Sequence, residues 1–304
     1  MATKLNTDFI KIVALATCHN RVDHTLQALQ SISKQVLPDN CRLEICLVDD
    51  GSSDGTADQV RDIYPEVKIL TGTGKLYWAG GMRAGWEQYV KHESFDYLLV
   101  FNDDIELFTG AITTLLSAAN QIQKEGSDSF AVVATFKAPL TEQPTYGGLV
   151  LKKGWKPLQF KILVPSAEIQ ECDTLNMNLA LISGPALTKT NFLSKQFTHA
   201  KADFDFGLRL RELGGRVVLA PGYAGKCPLN KEHGTSSEAN LGFGERWKRI
   251  TSIKEEPPGD RAVFCMRHAG FFWPVVWVIP YVRICMNSFI SRLKRILSRD
   301  MYLG

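Results

Sequence analysis

The sequence predicts an α/β protein in which a mostly parallel sheet is flanked by helices. Short, nearly continuous apolar runs recur along the chain, as they do in strands that are buried on both faces. Between these runs lie stretches whose apolar residues have helical spacing. Because alternating strands and helices pair in parallel through right-handed crossovers, ligands are expected at the carboxyl ends of the strands.

The elements follow one another in a regular order. Strands are predicted at 11–16, 43–48, 67–70, 97–101, 130–135, 179–182 and 217–220. Three helical faces are predicted from Val22, Leu26 and Leu29, from Met82, Trp86 and Tyr89, and from Ile112, Leu115 and Ala119. A fourth helix over 204–213 is expected to end at Gly214. The Pro- and Gly-rich segment 136–180 predicts loops and short strands.

The composition excludes several classes of protein. Of the 304 residues, 45% are hydrophobic and 22% charged, which is ordinary for a globular chain and excludes a disordered, collagen-like or coiled-coil protein. The net charge of +3 is too small to indicate nucleic-acid binding, so no nucleic-acid partner is expected. The seven cysteines form no CxxC pair, and no apolar leader opens the chain, which predicts reduced thiols and a cytoplasmic location.

Residues 236–304 are predicted to form a helical extension that contacts a membrane. The apolar run 271–282 is interrupted by Pro274 and Pro280, and it is shorter than the about 20 residues that span a bilayer. Basic residues follow it at 283, 292, 294, 295 and 299. An aromatic and basic amphipathic segment suits an anionic membrane surface. The alternative is a core-packed segment followed by a solvated basic helix.

Two acidic strings follow predicted strands directly. The string 48–56, VDDGSSDGT, places Asp49 and Asp50 before a glycine turn, where carboxylates can accept hydrogen bonds from a nucleoside; an N-capped acidic turn is the alternative. After strand 97–101 come Asn102, Asp103 and Asp104, with no Lys or Arg nearby in the sequence. Such oxygen ligands suit Mg²⁺ or Mn²⁺ bound to a diphosphate, whereas an Asx turn is the simpler interpretation.

Two further candidates lie later in the chain. Asp203 falls at a predicted helix N-terminus, where the helix dipole favours the ionised carboxylate. Asp205 and Arg209 have i,i+4 spacing and are predicted to form a structural ion pair. His233 lies in a loop of small residues, where a histidine is more often a surface residue than a ligand.

Taken together, these strings resemble the family 2 glycosyltransferases of the GT-A fold. The resemblance covers roughly residues 9–235 and is carried by KIVALATCHNR (11–21), VDDGSSDGT, FNDDIEL (101–107) and ADFDFGLRLRELG (202–214). It implies a GT-A catalytic domain over 1–235, with a donor half at about 1–135 and an acceptor half at about 136–235. The helical region 236–304 would follow it.

The resemblance also implies roles for individual residues. Asp104 matches the last aspartate of the family's DxD metal motif, with Asn102 in place of the first. Asp203 matches the catalytic base of the ED pair, whose glutamate is replaced by Ala202. His233 lies where some members have a further metal ligand. The donor-binding residues implied are Thr17, Asn20, Asp49, Asp50, Gly80, Gly81, Arg83, Asn102 and Asp103.

The implied activity is inverting, Mn²⁺- or Mg²⁺-dependent transfer of a hexosyl or deoxyhexosyl group from a UDP- or dTDP-sugar. The expected acceptor is a hydroxyl group of a glycan, lipid-linked at the inner face of the plasma membrane, as in the rhamnosyltransferase-like branch that builds bacterial surface polysaccharides. A sugar nucleotidyltransferase is one alternative, although residues 17–21 lack the glycine-rich loop that such enzymes need. A catalytically inactive nucleotide-sugar-binding protein is the other.

Overall fold

The structure is a computed structural model that describes residues 9–154, 157–229, 235–238 and 241–300, with side chains up to residue 286. The chain divides into two units. The first comprises residues 1–152 and 160–229, and the second comprises residues 153–159 and 230–304.

The first unit alternates strands and helices over its amino-terminal half. Its first elements are β1 (Ile10–Cys18), α1 (Val22–Ser33), β2 (Cys41–Asp49), α2 (Thr56–Ile63), β3 (Lys68–Thr71), α3 (Tyr77–Gln88), β4 (Tyr97–Phe101), β5 (Glu106–Leu107), α4 (Ala111–Lys124) and β6 (Phe130–Lys137). These elements confirm the strands predicted over the first 135 residues to within about two residues at most boundaries.

The later part of this unit has shorter elements. They are β7 (Pro144–Tyr146), β8 (Gly148–Leu151), β9 (Phe160–Ile162), β10 (Gln170–Glu171), β11 (Thr174–Leu175), β12 (Leu179–Ser183), α5 (Gly184–Thr190), α6 (Ala202–Glu212) and β13 (Arg216–Lys226). The short strands and the helix α6 were predicted. The seven-residue helix α5 was not, although Ser183 caps it by accepting from the Ala186 N–H group and Pro185 stands in its first turn.

The main sheet has the strand order β10-β13-β6-β12-β4-β1-β2-β3, and β11, β8 and β9 form a second, three-stranded sheet. Strands β1, β2, β3 and β4 pair in parallel, as predicted. Strand β12 is antiparallel to both of its neighbours, β4 and β6. Its direction differs because the chain enters β12 beside the carboxyl end of β4, where the Asn102 N–H group donates to the Asn178 carbonyl oxygen.

The core of the first unit lies between the main sheet and the helices. All five residues of β4 are buried, which explains why this strand reads as a continuous apolar run. On the predicted helical faces, Leu29 of α1 and Ile112, Leu115 and Ala119 of α4 are fully buried. All seven cysteines of the chain are free thiols.

The second unit contains α7 (Phe243–Ile250), α8 (Pro258–His268) and α9 (Trp273–Asp300). Pro280 lies inside α9 and has no N–H group to donate to the Val276 carbonyl oxygen one turn earlier. The Arg261 guanidinium donates to that oxygen at 2.8 Å and to the Trp277 carbonyl at 3.0 Å. Arg261 therefore supplies the hydrogen bond that the proline removes. Among the residues that the structure describes, no helix combines the length and apolarity needed to cross a membrane.

Gly81→Ala is expected to lower the free energy of unfolding by about 1–3 kcal/mol, because α3 packs closely on β1. A Cβ atom at Gly81 would lie 2.3 Å from the Thr17 hydroxyl oxygen. At the neighbouring Gly80 the nearest atom, the Leu76 Cβ, is 3.4 Å away, so Gly80→Ala serves as the control. Urea denaturation of both variants measures the difference. Equal midpoints would contradict the close packing at Gly81.

Candidate active site

The candidate site lies where β1, β2 and β4 end. Cys18, the last residue of β1, pairs with Asp49, the last residue of β2, and Leu15 of β1 pairs with Val100 of β4. Because these strands are parallel neighbours, the turns that follow them emerge at one edge of the sheet. This is the edge at which the sequence predicted a ligand.

Asp49, the last residue of β2, and Asp50, the residue that follows it, are both buried. The Asp50 carboxylate accepts backbone hydrogen bonds from Gly74 at 2.8 Å, Leu76 at 2.8 Å and Tyr77 at 3.1 Å. These groups lead into α3, so Asp50 fixes the loop before that helix. Asp49 accepts a bond from the Ser52 N–H group at 2.9 Å, which closes its own turn.

The turn after β1 is tied to the turn after β2. Asn20 has φ 51°, and its side-chain oxygen accepts from the Ser53 N–H group at 2.7 Å. Asp54 accepts from the N–H groups of Val22 and Thr56, both at 3.1 Å, and so joins the first turns of α1 and α2. The hydrogen bond from the Thr56 hydroxyl is the main cause of a lowered pKa at Asp54. Both turns are therefore held by side-chain contacts.

The acidic motif after β4 is paired with an arginine. The Arg21 guanidinium donates to Asp103 Oδ1 and to Asp104 Oδ2, each at 2.9 Å. The pKa of Asp103 is raised to about 6, chiefly by burial; the Arg21 charge opposes this rise, and the Asp104 charge adds to it. The prediction that no Lys or Arg lies near this motif was wrong, because it considered only neighbours in the sequence. Arg21 is 82 positions away from Asp103, but it follows β1, the strand next to β4.

Asn102 connects the acidic motif to two other segments. Its side-chain oxygen accepts from the Trp78 indole N–H group at 2.9 Å, and its backbone N–H group donates to Asn178 at 3.0 Å. Trp78 lies in the first turn of α3, two residues before the candidate donor-binding residue Gly80. The contact made by Trp78 could not be predicted, because a lone tryptophan gives no local signal for a partner 24 positions away.

Asp203 lies in the first turn of α6 and is partly buried. Its carboxylate accepts from the Phe204 N–H group at 2.9 Å and also interacts with the Asn176 side chain and the Met177 backbone. Burial is the main cause of a raised pKa at Asp203, and these hydrogen bonds oppose it. Segment 176–178 thus contacts Asp203 at one end and, through Asn178, Asn102 at the other.

The remaining candidate residues lie in different parts of the structure, and one is outside the described residues. The Arg83 guanidinium donates to the carbonyl oxygens of Ser194 at 3.1 Å and Phe197 at 2.6 Å. Gly81 contacts Thr17, whose hydroxyl donates to the Val48 carbonyl at 3.1 Å. The predicted ion pair between Asp205 and Arg209 is confirmed, with 2.7 Å between Arg209 Nε and Asp205 Oδ2. His233 lies outside the described residues.

Asp103 and Asp104 are the donors that fit a metal ion. They present adjacent carboxylate oxygens, which are the hard ligands preferred by Mg²⁺ and Mn²⁺. Within the described part of the chain, no group of three or more His, Cys, Asp or Glu side chains has a metal-binding arrangement. The described protein ligands would therefore have to be completed by oxygen atoms from a substrate or from water.

Residues 14–158 match the family model of Glycosyl transferase family 2. The matched region contains the turns after β1, β2 and β4, whereas Asp203 lies beyond it. No curated protein sequence matches the chain.

Solved structures have similar folds. GalNAc-T7 with UDP, GalNAc and Mn²⁺ is similar with a TM-score of 0.58 and 13% identity, over 80% of this chain and 48% of that one. The mannosyltransferase PcManGT from Pyrobaculum calidifontis, with GDP-Man and Mn²⁺, has a TM-score of 0.56 and 13% identity, over 96% and 79% of the chains. S. aureus TarS 1–349 with UDP-GlcNAc has a TM-score of 0.53 and 15% identity, over 84% and 71%.

These similarities concern the fold. The identities are 13 to 15%, and the chain spans about half the length of the GalNAc-T7 chain. The predicted fold class, a GT-A type α/β sheet flanked by helices, is confirmed.

Proposed function

We propose that this chain is an inverting glycosyltransferase that moves a sugar from a nucleotide diphosphate to a hydroxyl group of a glycan. The observation that carries the proposal is that Asp203 and the acidic motif 102–104 contact the same short segment, 176–178. A basic carboxylate and a cation-binding motif thus have a common neighbour. The family match over residues 14–158 and the nucleotides held by the three similar structures support a nucleotide-sugar donor. The proposed donor is a UDP- or dTDP-sugar.

Asp203 acts on the acceptor in this proposal. Its carboxylate takes the proton of the acceptor hydroxyl while that oxygen forms a bond to the anomeric carbon of the sugar. The bond between this carbon and the diphosphate oxygen breaks in the same displacement, which inverts the anomeric centre. The Phe204 N–H group orients the carboxylate, and the raised pKa makes it a stronger base than an exposed aspartate.

The donor is assigned to the edge of the sheet formed by the turns after β1, β2 and β4, in a catalytic domain over residues 1–235. The residues assigned to it are Thr17, Asn20, Asp49, Asp50, Gly80, Gly81, Arg83, Asn102 and Asp103. Asp104 would hold Mn²⁺ or Mg²⁺, with His233 as a further proposed ligand. The adjacent Asp103 carboxylate, which shares Arg21 with Asp104, is proposed to contact the same cation. When bound there, a divalent cation would supply positive charge that stabilises the leaving diphosphate.

Metal removal is expected to lower nucleoside diphosphate release at least about tenfold, because the leaving group carries negative charge. The purified chain is incubated with UDP-, dTDP- and GDP-sugars, with and without a lipid-linked glycan fraction, in Mn²⁺, Mg²⁺ or EDTA. Asp104→Asn should lose the metal-dependent release, whereas Asp58→Asn, an exposed change on α2, should retain it.

The products distinguish the alternatives. Pyrophosphate released from a sugar phosphate and a nucleoside triphosphate would identify a nucleotidyltransferase. Donor binding without turnover on any acceptor would favour a binding protein. Neither binding nor release with any donor would contradict the proposed function.

We further propose a lipid-linked acceptor at the inner face of the plasma membrane, and membership of the rhamnosyltransferase-like branch that transfers hexosyl or deoxyhexosyl groups. Exposed apolar side chains in the second unit support this. Phe271 and Phe272 are 90% and 67% exposed. Exposed residues then recur at three- and four-residue intervals along α9, at Val275, Ile279, Val282 and Met286. Such an apolar stripe, with basic residues after it in the sequence, suits an anionic membrane surface.

Replacing both Phe271 and Phe272 by Glu is expected to weaken binding to phosphatidylglycerol vesicles about tenfold or more, because two exposed rings can no longer enter the interface. Co-sedimentation of the full chain with vesicles measures the change. Leu140→Glu is the matched control, since Leu140 is 96% exposed in the first unit. Equal vesicle binding by the double variant and the control would contradict the membrane assignment.

A further inference from the structure

Arg21 occupies the position that a cation bound by Asp103 and Asp104 would need. Its two terminal nitrogens each donate to one carboxylate at 2.9 Å, so one planar group neutralises both acids. We propose that Arg21 competes with the divalent cation for the two carboxylates. The Arg21 guanidinium binds Asp103 and Asp104 when no cation is present, and it moves away from them when a cation binds. This inference rests on the proposed function.

The burial of the two carboxylates explains why the pair needs a cation. The Asp103 and Asp104 side chains are only 9% and 12% exposed, so their two negative charges are poorly screened by water. The second oxygen of Asp104 lies 3.8 Å from the Cys227 thiol, which is a weak donor. Among the residues that the structure describes, the strong charge partner of both carboxylates is therefore Arg21. A metal ion and the guanidinium would compete for the same oxygens.

Arg21 can leave without disturbing the fold. Its side chain is 40% exposed, and its backbone is held by contacts that do not involve the guanidinium. On one side of it, the Asn20 N–H group donates to the Ser52 hydroxyl at 2.9 Å. On the other side, the Val22 N–H group donates to Asp54. The turn would thus keep its place while the side chain moves.

A displaced Arg21 would remain close to the leaving group. A guanidinium binds phosphate oxygens with two parallel hydrogen bonds, and its turn adjoins the one assigned to the nucleoside. Exchange of Arg21 from the carboxylates to the diphosphate would couple cation binding to donor binding. In the absence of donor, the affinity of the site for the cation would therefore be weaker than that of two adjacent carboxylates not paired with a guanidinium.

Direct measurement of Mn²⁺ binding tests the competition. The purified full chain is titrated with Mn²⁺ in the absence of donor, and free Mn²⁺ is followed by electron paramagnetic resonance. Arg21→Gln is expected to bind Mn²⁺ about tenfold more tightly, since two charge-assisted hydrogen bonds no longer have to be broken. Arg61→Gln, which removes an exposed arginine paired with Asp58, should leave the affinity unchanged. Asp104→Asn should lose binding.

Two further measurements keep the test decisive. Arg21→Lys replaces the fork with a single point charge, so it should bind Mn²⁺ with intermediate affinity even if Arg21→Gln folds poorly. Mn²⁺ should also raise the Tm of Arg21→Gln more than that of the wild type. If neither Arg21 variant binds Mn²⁺ more tightly than the wild type, the competition does not exist. Donor turnover by the wild type is measured separately. A failed competition test would therefore leave the proposed function intact, and an absence of turnover would not affect the result of the Mn²⁺ titration.

Discussion

Asp203→Asn is expected to lower kcat by about 10²–10⁴-fold, because the amide cannot take the proton of the acceptor hydroxyl. The substitution preserves the shape of the side chain, and its oxygen can still accept from the Phe204 N–H group at the start of α6. Donor binding should therefore change little. The loss should appear in kcat rather than in the KM for the donor.

Steady-state kinetics on the donor found by the hydrolysis screen provide the measurement, with circular dichroism to confirm folding. Donor affinity is measured separately by calorimetry. If purified Asp203→Asn retained wild-type turnover, Asp203 would not be the base, and a different residue near segment 176–178 would have to be sought.

The pH profile supplies an independent readout of the same residue. Because burial raises the pKa of Asp203, its carboxylate is fully ionised only above that raised value. The kcat/KM of the wild type should fall as the pH falls through this pKa, at a higher pH than for an exposed aspartate. The residual activity of Asp203→Asn should lack this acid limb. An unchanged acid limb would point to another titrating group.

Much of the fold could be predicted from the sequence because its signals are local. Strand β4 is apolar at all five positions, and the buried face of α4 has helical spacing over Ile112, Leu115 and Ala119. The direction of β12 could not be predicted in this way. An apolar run of five residues reads the same in either direction, and its orientation depends on how segment 136–178 returns to the sheet.

The candidate site likewise contains residues that local sequence predicts and partners that it does not. The acidic turns were found because each follows an apolar strand directly. Their partners were missed because they are distant in the sequence: Arg21 beside Asp103, and Trp78 beside Asn102. The sequence does show that Arg21 follows β1 directly, just as the acidic motif follows β4. This position predicts a contact between them only once β1 and β4 are known to be neighbours in the sheet.

Asp205 lies two residues after the proposed base along α6. Asp205→Asn is expected to lower the free energy of unfolding by about 3 kcal/mol, and to lower activity only through this loss of stability. Asp205 is fully buried and accepts from Arg209 Nε at 2.7 Å. The same guanidinium donates to the carbonyl oxygens of Thr190 at 2.6 Å and Phe192 at 2.8 Å. Neutralising Asp205 would leave a largely buried positive charge without its counter-ion, which costs far more than losing an exposed pair.

Urea denaturation of Asp205→Asn measures this loss against Asp58→Asn, which breaks the exposed Asp58–Arg61 pair and should stay within about 0.5 kcal/mol of the wild type. At a temperature where Asp205→Asn remains folded, its kcat should stay near the wild-type value, whereas that of Asp203→Asn should not. The two aspartates would then be separated by function although they share one helix turn. A large fall in kcat with unchanged stability in Asp205→Asn would reverse their roles and place the chemistry on the buried side of α6.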